Sequence, residues 1–201
     1  FNMVSYQTFQ PCLSLRHIVE HYWRSHGKLN AAIIQEFATP ILQGLTFNLK
    51  KLPESISDDN RIIRMNQTVY LFGQPTQSRI SESNSTEIDI IGVKFSAVGI
   101  YRLTGIHMEH IANEIIDAAD IWGNEISLLC EKMAEAGSLT AQIQILEVFL
   151  IEKLSHQHKL KRNPTIDHAL QLGNHQQGNI AIRTLQEATY TTRKSLERAF
   201  L

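Results

Sequence analysis

The hydrophobic period of this 201-residue chain changes once, near Phe95, and that change limits the fold more than any other feature. Before it, apolar residues fall in short β-branched and aromatic runs: "QGLTFNL" (43–49), "TVYLFG" (68–73) and "TEIDIIGVKF" (86–95). Gly73-Gln-Pro75 and "LPESISDDN" (52–60) punctuate them, as turn-formers do. In the last run Ile88 and Ile90 share one strand face, whereas Ile91, Val93 and Phe95 share the other. That one-residue slip of phase predicts a bulge or bend. Successive short strands of this kind favour a small antiparallel barrel or sandwich over a parallel sheet.

After Phe95 the period is helical. "NEISLLCEKMAEAG" (124–137) sets Ile126, Leu129, Met133 and Ala136 on one stripe. "LTAQIQILEVFLIEKL" (139–154) does the same with Ile143, Leu146, Leu150 and Leu154, and adds a surplus of apolar Ile145, Phe149 and Ile151. That surplus could cover the β-rich half or pair two copies of the chain. Asn163-Pro164 then starts a further helix as cap and first residue, with Gly173 as its expected end.

Composition narrows the function classes. Hydrophobic content of 43% and charged content of 19% are ordinary for a globular protein. No apolar run reaches the ~18 residues of a membrane span, so no membrane role is expected. The start, "FNMVSYQTFQPCLSLRH", lacks a basic-then-apolar leader, which predicts a cytoplasmic protein. Cys12 and Cys130 form no metal-type spacing and read as small apolar residues in a reducing compartment. Charge is uneven: from residue 151 there are eight Lys/Arg against four Asp/Glu, or +4, leaving 11 against 16, or −5, in the first 150. A basic end on an acidic body hints at a polyanionic partner.

"GNIAIRTLQEATYTTRKSLERAF" (178–200) predicts two short helices joined by a tight turn. Thr192 can cap the second helix. At ~100° per residue, Leu196, Ala199 and Phe200 face inward, and Lys194 and Arg198 project on nearly the opposite side. A major groove admits one such helix. An ordinary helical hairpin, with Glu197 pairing Arg193 on a solvated face, fits the spacing as well.

The stretch "IRTLQEATYTTRKSLERAF" (182–200) resembles the first helix-turn-helix of the arabinose-regulator (AraC) family of bacterial transcription factors, through Leu185, Thr192, Lys194, Leu196, Arg198 and Phe200. A second stretch is similar to a subgroup of that family with a short cupin-like N-terminal domain. Gly73, Gln74 and Thr76 fit its "GQ-x-T"; Gly92, Val93, Phe95, Gly99, Leu103 and Gly105 fit its "GV-x-F" pattern; Tyr22-Trp23 fits as well. Pro40-Ile41-Leu42 stands where the subgroup has Pro-Asp-Gly.

The resemblance implies an α+β chain in three parts: an antiparallel, cupin-like β-barrel over 1–105 that senses or regulates, a helical connector over 106–160, and an incomplete AraC-type DNA-binding domain over 161–201. The family carries two helix-turn-helix units and this sequence holds one, so the resemblance also implies truncation after the first. The expected function is sequence-specific transcription regulation on promoter DNA, with Thr192, Arg193, Lys194, Ser195, Glu197 and Arg198 at the DNA. A small-molecule effector and a homodimer are the further partners expected.

Enzyme chemistry is not expected, and neither is a cofactor. Nine histidines include the pairs His17/His21, His107/His110 and His156/His158, none in a His-Glu-x-x-His pattern. Trp23, Phe47, Phe95 and Tyr101 could line an apolar ligand pocket or be plain core. The rival functions are a cupin-type metal-dependent enzyme and a protein-interaction module.

Overall fold

The computed structural model describes residues 3–28, 33–37, 43–50, 55–57, 61–83, 87–157 and 163–200. Its contacts divide the chain into two compact units, residues 1–157 and 158–201. In the first, a six-stranded antiparallel sheet contains β1 (Met3–Phe9), β2 (Val19–Lys28), β4 (Gly44–Asn48), β7 (Val69–Phe72), β9 (Glu87–Phe95) and β10 (Ile115–Asp117), in the order β1-β2-β9-β4-β7-β10. A four-stranded sheet contains β3 (Ile33–Phe37), β5 (Ser55–Ser57), β6 (Ile62–Arg64) and β8 (Arg79–Ser83), in the order β3-β8-β5-β6. The helices of this unit are α1 (Gly99–Thr104), α2 (Ala118–Trp122), α3 (Asn124–Glu135) and α4 (Leu139–His156).

Directly paired residues point to the same side of a sheet, so the registers sort the large sheet into two faces. Tyr22, Val93, Leu45 and Leu71 form one row, and Ile91, Phe47 and Val69 the next. All are buried, in one core with Ile126, Leu129 and Met133 of α3 and Ile143, Leu146, Phe149 and Leu150 of α4. The opposite face carries Trp23, Gly92, Thr46 and Tyr70 in one row and Phe72 and Ile115 in another. There Tyr70, Phe72 and Ile115 pack with Ile56 and Ile63 of the small sheet and with Met65.

The pairing register locates the phase slip in "TEIDIIGVKF". The register of β9 with β2 runs unbroken from Glu87 to Lys94, and the irregularity lies on β2, between Val19 and His21. Ile88 and Ile90 lie on the second face with Gly92, and both are half-buried. The bulge exists, but on the partner strand.

The closed barrel expected from the resemblance is replaced by two open sheets. Among the described residues, β1 and β10 lie at opposite edges of the large sheet and do not pair. Closure would need that hydrogen-bonded seam, and β10 is three residues long before Asp117 caps α2 by accepting from the Ala119 N–H at 2.9 Å. Sheet pairing also runs past residue 105, and α2 to α4 belong to the first unit rather than to a separate connector. The reason is burial: Ile143, Leu146, Phe149 and Leu150 of α4 pack into the core of the large sheet, and Trp122 meets Phe149 edge-on at 5.7 Å. Lys153 is nearly buried yet satisfied, since it pairs with Glu125 and lies 5.2 Å above the Phe149 ring.

The "GQ-x-T" motif is a clasp between two chain segments. The Gly73 N–H donates to the Glu114 carbonyl at 3.0 Å, and the Asn113 N–H to the Gln74 carbonyl at 3.0 Å. Asn113 sits in the left-handed region (φ 62), where its short side chain is tolerated. Its Oδ1 accepts from the Thr76 N–H at 2.7 Å and the Thr76 hydroxyl at 3.0 Å, and its carbonyl accepts from Arg61 and Arg79. Gly73 is required because a Cβ would stand 1.6 Å from the Ile111 carbonyl oxygen, which is backbone and cannot swing away. Gly73→Ala is therefore expected to destabilise the first unit by at least ~1–3 kcal/mol in a thermal melt; an unchanged melting temperature would refute the clasp.

Candidate nucleic-acid interface

The second unit consists of α5 (Pro164–His175), α6 (Ile182–Thr189) and α7 (Arg193–Phe200), with α5 packed against both of the others. Asn163 caps α5, as its neighbour Pro164 predicts: its Oδ1 accepts from the Thr165 N–H at 3.1 Å. The helix does not stop at Gly173. It runs to His175, and the chain turns at Gln177 and Gly178, both at positive φ. Gly178 serves because its N–H closes back onto the Gly173 carbonyl at 2.8 Å while φ is 80.

Three residues, 190–192, join α6 to α7. Tyr190 ends α6 in the left-handed region (φ 53), with its N–H donating to the Gln186 carbonyl. Glycine is the usual occupant of such a position, and Tyr190 is 95% exposed, so no packing repays the strain. Nothing in the sequence pattern marks Tyr190 as left-handed. Thr192 caps α7 as expected: its Oγ1 accepts from the Ser195 N–H at 3.2 Å and lies 2.9 Å from the Ser195 hydroxyl.

The six residues expected at DNA separate into distinct local roles. Thr192 and Ser195 are joined in the cap. Arg193 and Glu197 form an i,i+4 ion pair at 2.8 Å, so that part of the helix is locally neutral. Lys194 and Arg198 are exposed, stand one turn apart, and have no ion-pair partner among the described residues. Leu196 is buried, as the helical phase requires, whereas Ile182 at the start of α6 is 47% exposed. The side chains of Ala199 and Phe200 lie outside the described residues.

The four aromatics considered for a ligand pocket do not converge. Phe47 and Phe95 are fully buried in the core under the helices, while Trp23 lies on the opposite sheet face. The Trp23 indole rests on Gly92, where an added Cβ would fall 1.9 Å from the ring. Tyr101 instead meets the His107 ring at 5.4 Å, and His107 meets His110 at 6.3 Å. Among the described residues no three of His, Cys, Asp and Glu gather as a metal site would require. Burial pushes the Cys130 thiol up to about 11, aided by the nearby Glu131 charge, so at neutral pH it is not a nucleophile. Burial and the Glu147 carboxylate likewise raise the Tyr22 phenol. Glu147 also accepts from the Cys12 N–H at 2.7 Å, tying α4 to the segment after β1. Pro40-Ile41-Leu42 lies outside the described residues, as does His158.

With this geometry in place, the relatives can be stated. The family described as a domain of unknown function, DUF6597, matches residues 7–117, more than half of the chain, and the chain belongs to that family. The match takes in the large sheet apart from residues 3–6 of β1, the "GQ-x-T" clasp and Gly92 beneath Trp23. One solved structure, the AraC-like transcriptional activator CuxR, aligns over 98% of this chain and 79% of its own at 11% identity and a TM-score of 0.35, too low to establish a shared fold. No curated protein matches. No helix among the described residues is long and apolar enough to cross a membrane.

The turn gives a direct test. Thr192→Ala should cost about 1 kcal/mol of second-unit stability through loss of the cap. Tyr190→Gly should raise stability by up to about 1 kcal/mol by relieving the left-handed strain. Urea unfolding followed by helical circular dichroism measures both, and a destabilised Tyr190→Gly would contradict the turn geometry.

Proposed function

We propose that the chain is a DNA-binding transcription regulator of the AraC type, with α7 entering the major groove of duplex DNA and the first unit regulating it. The observation that carries the proposal is the pair Lys194 and Arg198. Two exposed cations one turn apart repel by ~0.2–0.5 kcal/mol. Glu197 neutralises Arg193 beside them and leaves this pair uncompensated. A polyanion relieves that repulsion and gains counterion release as well. The sequence resemblance over 182–200 supports the same reading.

Within the pair the roles differ by chemistry. Arg198 offers a planar fork that can meet guanine O6 and N7 together, whereas Lys194 is a point charge suited to phosphate. Thr192 and Ser195 hold the helix start in place, and the Arg193–Glu197 pair is weak enough at the surface to open toward phosphate. The proposal assigns binding to the chain and no chemical step. An effector held by the first unit would change DNA affinity, and DNA would change effector affinity by the same factor.

Fluorescence anisotropy with duplex DNA over a salt series tests the reading. Binding should weaken steeply with salt, which a protein-interaction module would not show toward DNA. Arg198→Ala should cost ~1–3 kcal/mol and relax preference at one base position, and Lys194→Ala should lower the salt slope by about one. If Arg198→Ala leaves affinity and preference unchanged while α7 stays folded, α7 is not the reading helix.

A further inference from the structure

Among the described residues, the free edge of β1 is the longest unguarded edge of either sheet. Sheet edges are kept from pairing by short length, charge, proline or bulges. β10 and β6 have three residues each, and β3 carries Glu36. β1 has seven residues, "MVSYQTF", with no charge, proline or glycine, and among the described residues it pairs with β2 alone. Residues 4–8 are all exposed. Val4 at 40% and Tyr6 at 60% lie on one face with Thr8. The Tyr6 ring is already fixed against Trp23, stacked at 6.0 Å with an interplanar angle of 26°.

The strand is palindromic in character about Tyr6. An antiparallel copy centred there would set Val4 against Thr8, Ser5 against Gln7, Met3 against Phe9 and Tyr6 against Tyr6. Apolar ends meet, β-branched residues meet, and the two polar residues meet on the other face, the pairings that stabilise antiparallel ladders. Charge agrees with this. Seven neutral positions bring no like charges together, and Arg24 on the neighbouring β2 is already joined to Asp89 on β9 at 2.8 and 2.9 Å. The two-fold arrangement is also closed, so pairing stops at two copies.

We infer that β1 is a self-association edge, at which a second copy of this chain adds antiparallel about Tyr6 to make a continuous twelve-stranded sheet. This is independent of the DNA reading. It places the expected homodimer on the sheet edge rather than on α4, whose outward Val148 and Ile151 are the competing surface. One strand pair buries less than a standard interface, so the dimer is a weak one, with a Kd on the order of micromolar.

Cross-linking and sedimentation test it on the whole chain. Facing Cα atoms in an antiparallel pair stand ~4.5–5.5 Å apart, within disulfide reach. Tyr6→Cys should therefore give a covalent dimer under mild oxidation above the background of the parent protein, while Val4→Cys alone should not. In sedimentation, Tyr6→Lys should weaken the dimer at least tenfold, and Tyr6→Phe should leave it intact. Tyr6→Phe keeps the stack on Trp23 and should keep the parent's melting behaviour, whereas Tyr6→Lys loses that stack at an exposed edge and should lower the melting temperature only slightly. A protein that stays monomeric at hundreds of micromolar overturns the inference. So does a dimer that survives Tyr6→Lys and is lost with Val148→Lys, or an open-ended series of larger species.

Discussion

Everything in the first unit depends on the large sheet being apolar on both faces. Ile91, Val93 and Phe95 of β9 lie on one side, and Tyr70, Phe72 and Ile115 of β7 and β10 on the other. The chain meets this with two unlike covers: α3 and α4 on one face, and, over β7 and β10, the small sheet through Ile56 and Ile63 on the other. Close approach at both covers then fixes the glycines. Gly92 lets the Trp23 indole lie against β9, and Gly73 lets the segment after β7 touch Ile111. Asn113, with its left-handed backbone, ties the two segments together through Thr76 and the two arginines.

Much of this was legible in the sequence where the signal is local. The runs around 44–48, 69–72 and 87–95 form strands because β-branched and aromatic composition is a property of the segment itself. The inward stripes of α3 and α4 follow the 3.6-residue period. Closure of the sheet was not legible, because it depends on which distant strands share a seam. Whether the four aromatics converge or serve as core stays open in the sequence for the same reason, and Phe47 and Phe95 are core. Whether Trp23 shares a face with Phe47 is decided by the β2–β9–β4 register, and a one-residue change in register would reverse the answer. The grouping of α2 to α4 with the sheets was not legible either, because periodicity shows that a helix has an apolar side without showing what covers it.

The second unit divides in the same way. The cap at Thr192, the burial of Leu196 and the Arg193–Glu197 pair all act within one turn of helix, and all were readable from spacing. The left-handed Tyr190 was not, since tyrosine carries no signal for that conformation. Coordinates added that the Ser195 hydroxyl joins the cap and that Lys194 and Arg198 have no ion-pair partner among the described residues. That difference concentrates the nucleic-acid reading on Lys194 and Arg198.

The central claim is that the acidic first unit regulates and the basic second unit contacts DNA. Backbone amide NMR of the whole chain during titration with duplex DNA at low salt tests it most directly. The account predicts that shifts begin in residues 190–198 and are reversed by added salt. Shifts spread over the large sheet with α7 silent, or no shifts at any salt concentration, would contradict it.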